Sequence, residues 1–62
     1  MYLNLHQLRE ERGFSQIELA KRSGVSQAFI SQIEKGEKVP TVFIAKRLAM
    51  ALDKTVDEMI VV

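Results

Sequence analysis

The residues best suited to chemistry lie in one short segment, Gln27–Lys35, and they carry two amides, a hydroxyl and an amine. A glutamine amide can bond both N7 and the amino group of an adenine, whereas a serine hydroxyl reaches phosphate oxygens. An alanine permits close approach, and an aromatic edge can contact a thymine methyl group. This is the chemistry of binding double-stranded DNA. The candidate base contacts are Gln27, Ala28, Phe29 and Gln32.

A helix over this segment would present these side chains together. Ser26 can cap its start, and Gly36 can end it. At about 100° per residue, one face is apolar apart from a glutamate, and the opposite face is small and polar. The inner face holds Ile30, Ile33 and Glu34, and the outer face holds Ala28, Ser31, Gln32 and Lys35, flanked by Gln27 and Phe29.

A second short helix is predicted directly before this one. Ser15 can cap it, and Glu18 follows three residues later, as in a capping box. Gly24 can adopt the positive φ that ends a helix. Residues 16–36 therefore predict a helix, a short turn and a helix, with Gln16 at the start of the first.

Capping signals predict three further helices. Asn4 with Gln7 opens the first, which ends at Gly13, while Thr41 caps a helix over residues 42–52. The predicted core stripe of that helix is Val42, Ala45, Leu48, Ala49 and Leu52. Thr55 and Glu58 form another capping box, which opens a last short helix containing Val56, Met59 and Ile60.

The composition is that of one small helical domain over residues 1–62. The chain has 62 residues, 47% of them hydrophobic, and a net charge of +1. At that size folding buries only about 60% of the unfolded chain's surface, so there is room for one small core. No apolar run is long enough to span a membrane and the N-terminus lacks a signal peptide, so we expect the protein to stay in the cytoplasm.

The same composition argues against catalysis and against bound metals. The sequence has no cysteine and one histidine, His6, which we expect to be a surface residue of the first helix. It contains no carboxylate pair, no nucleophile with a base, no phosphate-cradling glycine loop and no metal-ligand cluster. We therefore expect neither an enzyme nor a cofactor.

Gln16, Ala20, Gly24, Val25, Ile30 and the run IEKG carry a resemblance. The chain resembles the phage Cro and repressor (Xre) helix-turn-helix family over nearly its whole length. The resemblance implies an all-α, compact, five-helix, lambda-repressor-like domain whose second and third helices form the helix-turn-helix. It also implies that Gln27–Lys35 lies in the major groove of DNA, with its N-terminal part toward the bases.

The resemblance also assigns roles to side chains outside the base-reading set. The family residue that matches Gln16 bonds a phosphate, and the residues that match Arg9 and Glu34 form an ion pair. The alternative for that pair is that both side chains are solvated. The further candidate phosphate contacts are Ser26, Ser31, Lys35 and Lys38.

Two aromatic residues need separate treatment. Phe14 stands between the first two helices and is expected in the core. For Phe29 two roles stay open: contact with a thymine methyl group or sugar, and covering the small core from outside.

Large apolar residues on the far side predict a protein partner. Phe43 and Met50 share the outer side of the fourth helix, and the chain ends in MIVV. In the resembling family two copies bind an inverted repeat, with reading helices about 34 to 36 Å apart. We therefore expect a homodimeric repressor, although single exposed apolar residues are also ordinary. The candidate partner surface is Phe43, Met50, Met59, Val61 and Val62.

Two other functions compete with that of a dimeric repressor. An antitoxin of similar fold would bind its promoter and use the apolar surface to bind a toxin protein. A protein-interaction module of the same fold would not bind DNA, and the low net charge favours it.

Overall fold

The computed structural model describes residues 3–61, and five α-helices account for most of them. They are α1 (Leu5–Glu11), α2 (Gln16–Ser23), α3 (Gln27–Glu34), α4 (Val42–Ala51) and α5 (Val56–Met59). Extended pairing in this part of the chain is limited to one antiparallel bridge between Leu3 and Ile60. The predicted all-α, five-helix architecture is confirmed.

Side-chain caps fix where four of the helices begin. The Ser15 hydroxyl accepts a hydrogen bond from the Glu18 N–H at 3.0 Å, and the Thr41 hydroxyl accepts one from the Ile44 N–H at 3.2 Å. Thr55 and Glu58 form the complete capping box. The box predicted at Ser15 is only half formed, because the Glu18 carboxylate accepts from Arg22 Nε at 2.8 Å instead.

The predicted cap at Asn4 is wrong. Asn4 does precede α1, but its side chain makes no capping hydrogen bond. The other four caps have extended backbone, whereas Asn4 has φ −86° and ψ 45°. Its N–H donates to the Met59 carbonyl at 2.9 Å, so pairing with the C-terminal end of the chain sets its backbone.

Gly24 makes the turn between α2 and α3. Its φ is +76°, in the left-handed region that costs an L-residue about 1–2 kcal/mol. Its N–H donates to the Ala20 carbonyl at 2.9 Å, which closes the end of α2. The turn therefore sets α3 across α2 within three residues.

The core lies between α1, α2, α3 and the second half of α4, and α5 closes it. Leu5, Leu19, Ile30, Leu48, Leu52 and Met59 are its largest fully buried side chains. Phe14 packs against this core, as expected, and its ring lies 4.4 Å from the Arg22 guanidinium carbon.

Two expectations about burial are wrong. Val42, predicted in the core stripe of α4, is 56% exposed, because the stripe begins one turn later, at Ala45, and Pro40 is buried before the helix. Met59, predicted on the partner surface, is fully buried, because the single turn of α5 packs its side chain into the core. Val61 is exposed, and Val62 lies outside the described residues.

Candidate nucleic-acid interface

The outer side of α3 is polar, and the inner side of the same helix is apolar and buried. Ile30 and Ile33 anchor the helix in the core. Gln27 and Ala28 are exposed at the N-terminal end of α3, and Ser31 and Gln32 are half-buried. We call Gln27, Ala28, Ser31 and Gln32 the reading face. Gln27 and Ala28 lie in the first turn, so the end of α3 farthest from the α3–α4 loop is the most open.

Phe29 is half-buried and packs against the core. Its ring thus covers the core, which is one of the two roles considered from the sequence. A contact between Phe29 and a base remains a prediction.

Ser26 caps α3 beside the reading face. Its hydroxyl oxygen accepts a hydrogen bond from the Phe29 N–H at 3.2 Å, as the sequence predicts. The hydroxyl hydrogen is still free to donate, so the same group can cap the helix and bond a phosphate oxygen.

The loop after α3 folds back onto the end of that helix. The N–H groups of Glu37 and Lys38 both donate to the Gln32 carbonyl, at 2.8 and 3.3 Å. Lys35 and Lys38 are exposed on either side of Gly36. Two positive charges therefore stand near the C-terminal end of the reading face.

Arg9 and Glu34 form the ion pair that the resemblance implies. Arg9 Nε lies 2.7 Å from Glu34 Oε2, and Arg9 Nη2 lies 3.1 Å from Glu34 Oε1. Their side chains are only 11% and 7% exposed, which excludes the alternative that both are solvated. The guanidinium also donates through Nη1 to the Phe14 carbonyl at 2.8 Å. The pair joins α1, α3 and the loop before α2.

This geometry shifts the pKa of both partners. The hydrogen bond with Glu34 raises the pKa of Arg9 above its ordinary value, and this outweighs the lowering by burial. Burial raises the pKa of Glu34, but the hydrogen bonds that its carboxylate accepts from Arg9 and Gln16, the contact with His6 and the charge of Arg9 together outweigh that effect. The pKa of Glu34 is therefore lowered, and the pair is ionised at neutral pH.

Gln16 is half-buried at the first position of α2, and its side chain contacts the ion pair between Arg9 and Glu34. Its Nε2 donates to Glu34 Oε1 at 3.1 Å. One of its two amide hydrogens is thus used inside the protein. The other hydrogen and the amide oxygen stay available at the helix start.

His6 makes two contacts with carboxylates that were not predicted from the sequence. Its Nδ1 lies 3.1 Å from Glu34 Oε1, and its Nε2 lies 3.1 Å from Glu10 Oε1. The side chain is 58% exposed, so it is a surface residue, as expected, but one in contact with a buried carboxylate. The spacing to Glu10, four residues along the same helix, was the available signal.

A second surface, on α4, carries exposed apolar side chains. Phe43 and Met50 are 80% and 81% exposed. Met50 also borders a groove of about 380 Å³ between α4 and α5. Its lining residues are Lys46, Ala49, Met50, Lys54, Thr55, Val56 and Asp57. None of the helices in residues 3–61 is long and apolar enough to cross a membrane.

Known proteins share both the sequence pattern and the fold. A family model described as helix-turn-helix (HTH_3) matches residues 5–59. A regulator of Sinorhizobium fredii, y4dJ, described as an uncharacterized HTH-type transcriptional regulator, is 45% identical over 49 residues. The matched residues cover 79% of this chain and 64% of that protein. The chain thus spans less than two thirds of the length of this relative.

Two solved structures superpose on most of the chain. The restriction-modification controller protein C.AhdI from Aeromonas hydrophila has a TM-score of 0.87 and 32% identity, covering 90% of this chain and 85% of that one. A chain of the SinR protein/SinI protein complex has a TM-score of 0.83 and 31% identity. It covers 87% of this chain, which spans 53% of that one.

Proposed function

Because the chain belongs to the helix-turn-helix (HTH_3) family of Xre/Cro-type transcriptional regulators, whose members have a DNA-binding fold and are not enzymes, we propose that it binds specific double-stranded DNA sequences. In this proposal residues 1–62 act as one DNA-binding domain. The segment Gln27–Lys35 enters the major groove and reads bases with Gln27, Ala28, Phe29 and Gln32.

The observation that carries this proposal is the arrangement of α3. Its two isoleucines hold the helix in the core, while Gln27 and Ala28 are exposed in its first turn. Recognition helices contact base edges with their N-terminal residues. An exposed glutamine there can make the bidentate contact with adenine that distinguishes it from other bases.

Phosphate contacts would surround the reading face. Gln16 stands at the start of α2, Ser26 at the start of α3, and Lys35 and Lys38 beyond its end. Ser31 adds a hydroxyl within the helix. These contacts fix the register of the protein on DNA and make its affinity salt-dependent, while the base contacts select the sequence.

We further propose that the regulator is a cytoplasmic homodimer that represses transcription from an inverted repeat. A single α3 reads few base pairs, and a twofold partner would double them. The surface available for pairing is Phe43 and Met50 on α4 with the exposed Val61 after α5, all outside the reading helix. Bound at a promoter, the dimer would block polymerase.

A second candidate function uses the same apolar surface for a different protein. The groove between α4 and α5 has apolar side chains and two lysines, Lys46 and Lys54. The similar chain in the SinR/SinI structure is held in a complex with a protein. An antitoxin-type regulator would bind a toxin here, and its co-purification with a small partner from the native host would favour this function over the homodimer.

An amide NMR titration with a short mixed-sequence duplex tests DNA binding directly. We expect shifts at Gln16 and over residues 26–38 at low salt, and smaller shifts at higher salt, because phosphate binding releases counterions. Shifts over residues 43–50 would report pairing of two copies on the duplex, because these residues include the proposed pairing surface and lie outside the DNA interface. A protein that gives no shifts over 26–38 at low salt would instead be a protein-interaction module.

A further inference from the structure

One carboxylate oxygen of Glu34, on α3, is in contact with side chains from α1 and α2. Glu34 Oε1 lies 3.1 Å from each of three nitrogens: Arg9 Nη2, Gln16 Nε2 and His6 Nδ1. A carboxylate has about four lone-pair sites on its two oxygens, so one oxygen has about two. Three donors therefore compete for two positions on Oε1. We call these four residues the Glu34 cluster.

The protonation of His6 decides whether it is one of those donors. Its Nδ1 also lies 2.9 Å from Arg9 Nη2, and its Nε2 lies 3.1 Å from Glu10 Oε1. In a neutral imidazole that donates from Nε2 to Glu10, Nδ1 carries no hydrogen. It can accept a hydrogen bond from Arg9, but it cannot donate one to Glu34. A protonated imidazole donates from Nδ1 to Glu34 and no longer accepts from Arg9.

The charged groups that face the imidazole are thus Arg9 and Glu10 on α1 and Glu34 on α3. The contribution of α2 is the uncharged amide of Gln16. When His6 is protonated, Glu34 Oε1 has two charged donors and one neutral donor. Hydrogen bonds with a charged donor are roughly twice as strong as neutral ones, so the amide is the donor that gives way.

We propose that His6 is a positioning residue for Gln16, and that its protonation releases the Gln16 side chain from Glu34. The inference rests on the proposed phosphate contact of Gln16. Histidine is the side chain that ordinarily changes charge between pH 5 and 8, and this is the range over which the release is to be tested. The Glu34 cluster thereby couples proton binding on α1 to a DNA contact at the start of α2.

The release weakens the DNA contact because it removes preorganisation. Held by Glu34, the Gln16 amide is already oriented before DNA arrives, and its side-chain freedom need not be lost on binding. A protonated His6 also adds a positive charge, which favours every duplex. The two effects have opposite sign, so the specific test is the contribution of Gln16, not the total affinity.

The first experiment uses the free protein and needs no DNA. We would follow the side-chain amide NMR signals of Gln16 and the ring signals of His6 from pH 8 to pH 5.5. The Gln16 signals should move with the same midpoint as the His6 ring and should stay still in His6→Ala. The exposed amide of Gln27 is the control. Gln16 signals that do not move while His6 titrates would overturn the proposal.

The second experiment measures the contribution of Gln16 to DNA binding. The ratio of the Kd of Gln16→Ala to that of the unmodified protein should be about 2- to 10-fold at pH 8, the effect of one lost hydrogen bond. It should fall toward 1 at pH 5.5, and it should be equal at both pH values in a His6→Ala background. The general charge effect cancels in this ratio.

The outcomes separate the two proposals. A ratio above 1 that is the same at both pH values overturns the role of His6 and leaves the phosphate contact of Gln16 intact. A ratio of 1 at both pH values with measurable DNA binding overturns the phosphate contact, and with it this inference. Absence of any duplex binding overturns the proposed function itself, whatever the amide signals of Gln16 do.

Discussion

Arg9 and Glu34 are 25 residues apart in the chain, yet Arg9 Nε and Glu34 Oε2 lie 2.7 Å apart with both side chains almost fully buried. The pair joins α1 to the proposed recognition helix. A buried pair adds little net stability compared with apolar residues of the same size, but a buried charge without its partner is costly. The pair therefore fixes the position of α3 against α1.

Removing one partner should strongly destabilise the protein. Arg9→Met strands the Glu34 carboxylate and should cost about 3–5 kcal/mol, whereas the double variant Arg9→Met/Glu34→Leu should recover most of that loss. Unfolding in urea at pH 7 measures both. A loss in the double variant that equals or exceeds that of Arg9→Met would contradict this account, because removal of the stranded carboxylate would then recover no stability.

The same pair predicts a loss of stability in acid. The folded pKa of Glu34 is lowered, so its contribution is fully present above its unfolded pKa of about 4.3 and is lost as pH falls through the folded value. The free energy of unfolding should thus fall as the pH is lowered below about 5. In Arg9→Met/Glu34→Leu the fall should be smaller, and an unchanged pH profile would contradict this account of Glu34.

Local signals in the sequence were enough to predict most of the fold. Ser15, Ser26, Thr41 and Thr55 each cap a helix through a hydroxyl and an N–H three residues later, and such contacts depend on neighbours in the chain. Gly24 likewise needs only its own backbone conformation to be a turn residue. The helix-turn-helix followed from these residues and from the periodicity of α3.

The features that were predicted wrongly or not at all depend on packing between segments that are distant in the chain. Asn4 has the right residue type for a cap, but pairing with Met59 sets its backbone. Met59 and the exposed Met50 are the same residue type, so only the packing of α5 shows that one is buried and the other is not. The contact of His6 with Glu34 joins residues 28 apart, which no helical period reports.

Two methionines provide a matched test of the burial correction. Met59 is fully buried, so Met59→Ala should cost about 2–5 kcal/mol through lost burial and the cavity it leaves. Met50 is 81% exposed, so Met50→Ala should change the free energy of unfolding by less than about 0.5 kcal/mol. Dilute protein should be used to exclude self-association. A small effect of Met59→Ala would return that residue to the partner surface.

Two glycines test what the α2–α3 turn requires. Gly24 and Gly13 have φ of +76° and +72°, but a Cβ at Gly24 would lie 3.3 Å from Arg47 Nη1, whereas one at Gly13 would meet nothing within 4 Å. Arg47 is exposed, and its Nη1 lies at the end of a long side chain, so it can move away from the added Cβ. Each alanine variant should therefore lose about 1–2 kcal/mol from backbone strain alone.

Thermal or urea unfolding compares the two glycine variants. The losses should agree within about 0.5 kcal/mol, the usual precision of such differences. A much larger loss in Gly24→Ala that Arg47→Ala relieves would show that the guanidinium is held at the turn.

Gln32 and Lys38 should differ in how they contribute to DNA binding. Gln32→Ala should lose about 1–3 kcal/mol of discrimination at one base pair. Lys38→Ala should weaken binding to all sequences alike and reduce the salt slope by about 1, because it removes one phosphate contact. Lys54→Ala is the control for charge, since Lys54 lines the groove between α4 and α5 and is not part of the proposed interface. Equal losses on every duplex for both variants would contradict the assigned roles.

The exposed apolar side of α4 should control self-association. Phe43→Ser and Met50→Ser remove the two most exposed large apolar side chains, so they should shift a dimer to monomer without lowering the stability of the monomer. Ile17→Ser is the matched control, because Ile17 is also apolar and is 54% exposed, but on α2. Sedimentation velocity over a range of concentrations gives the association constant. If the Phe43 and Ile17 variants dimerise as well as the unmodified protein, the pairing surface lies elsewhere; if the unmodified protein is monomeric throughout, the apolar side of α4 is left for a different protein.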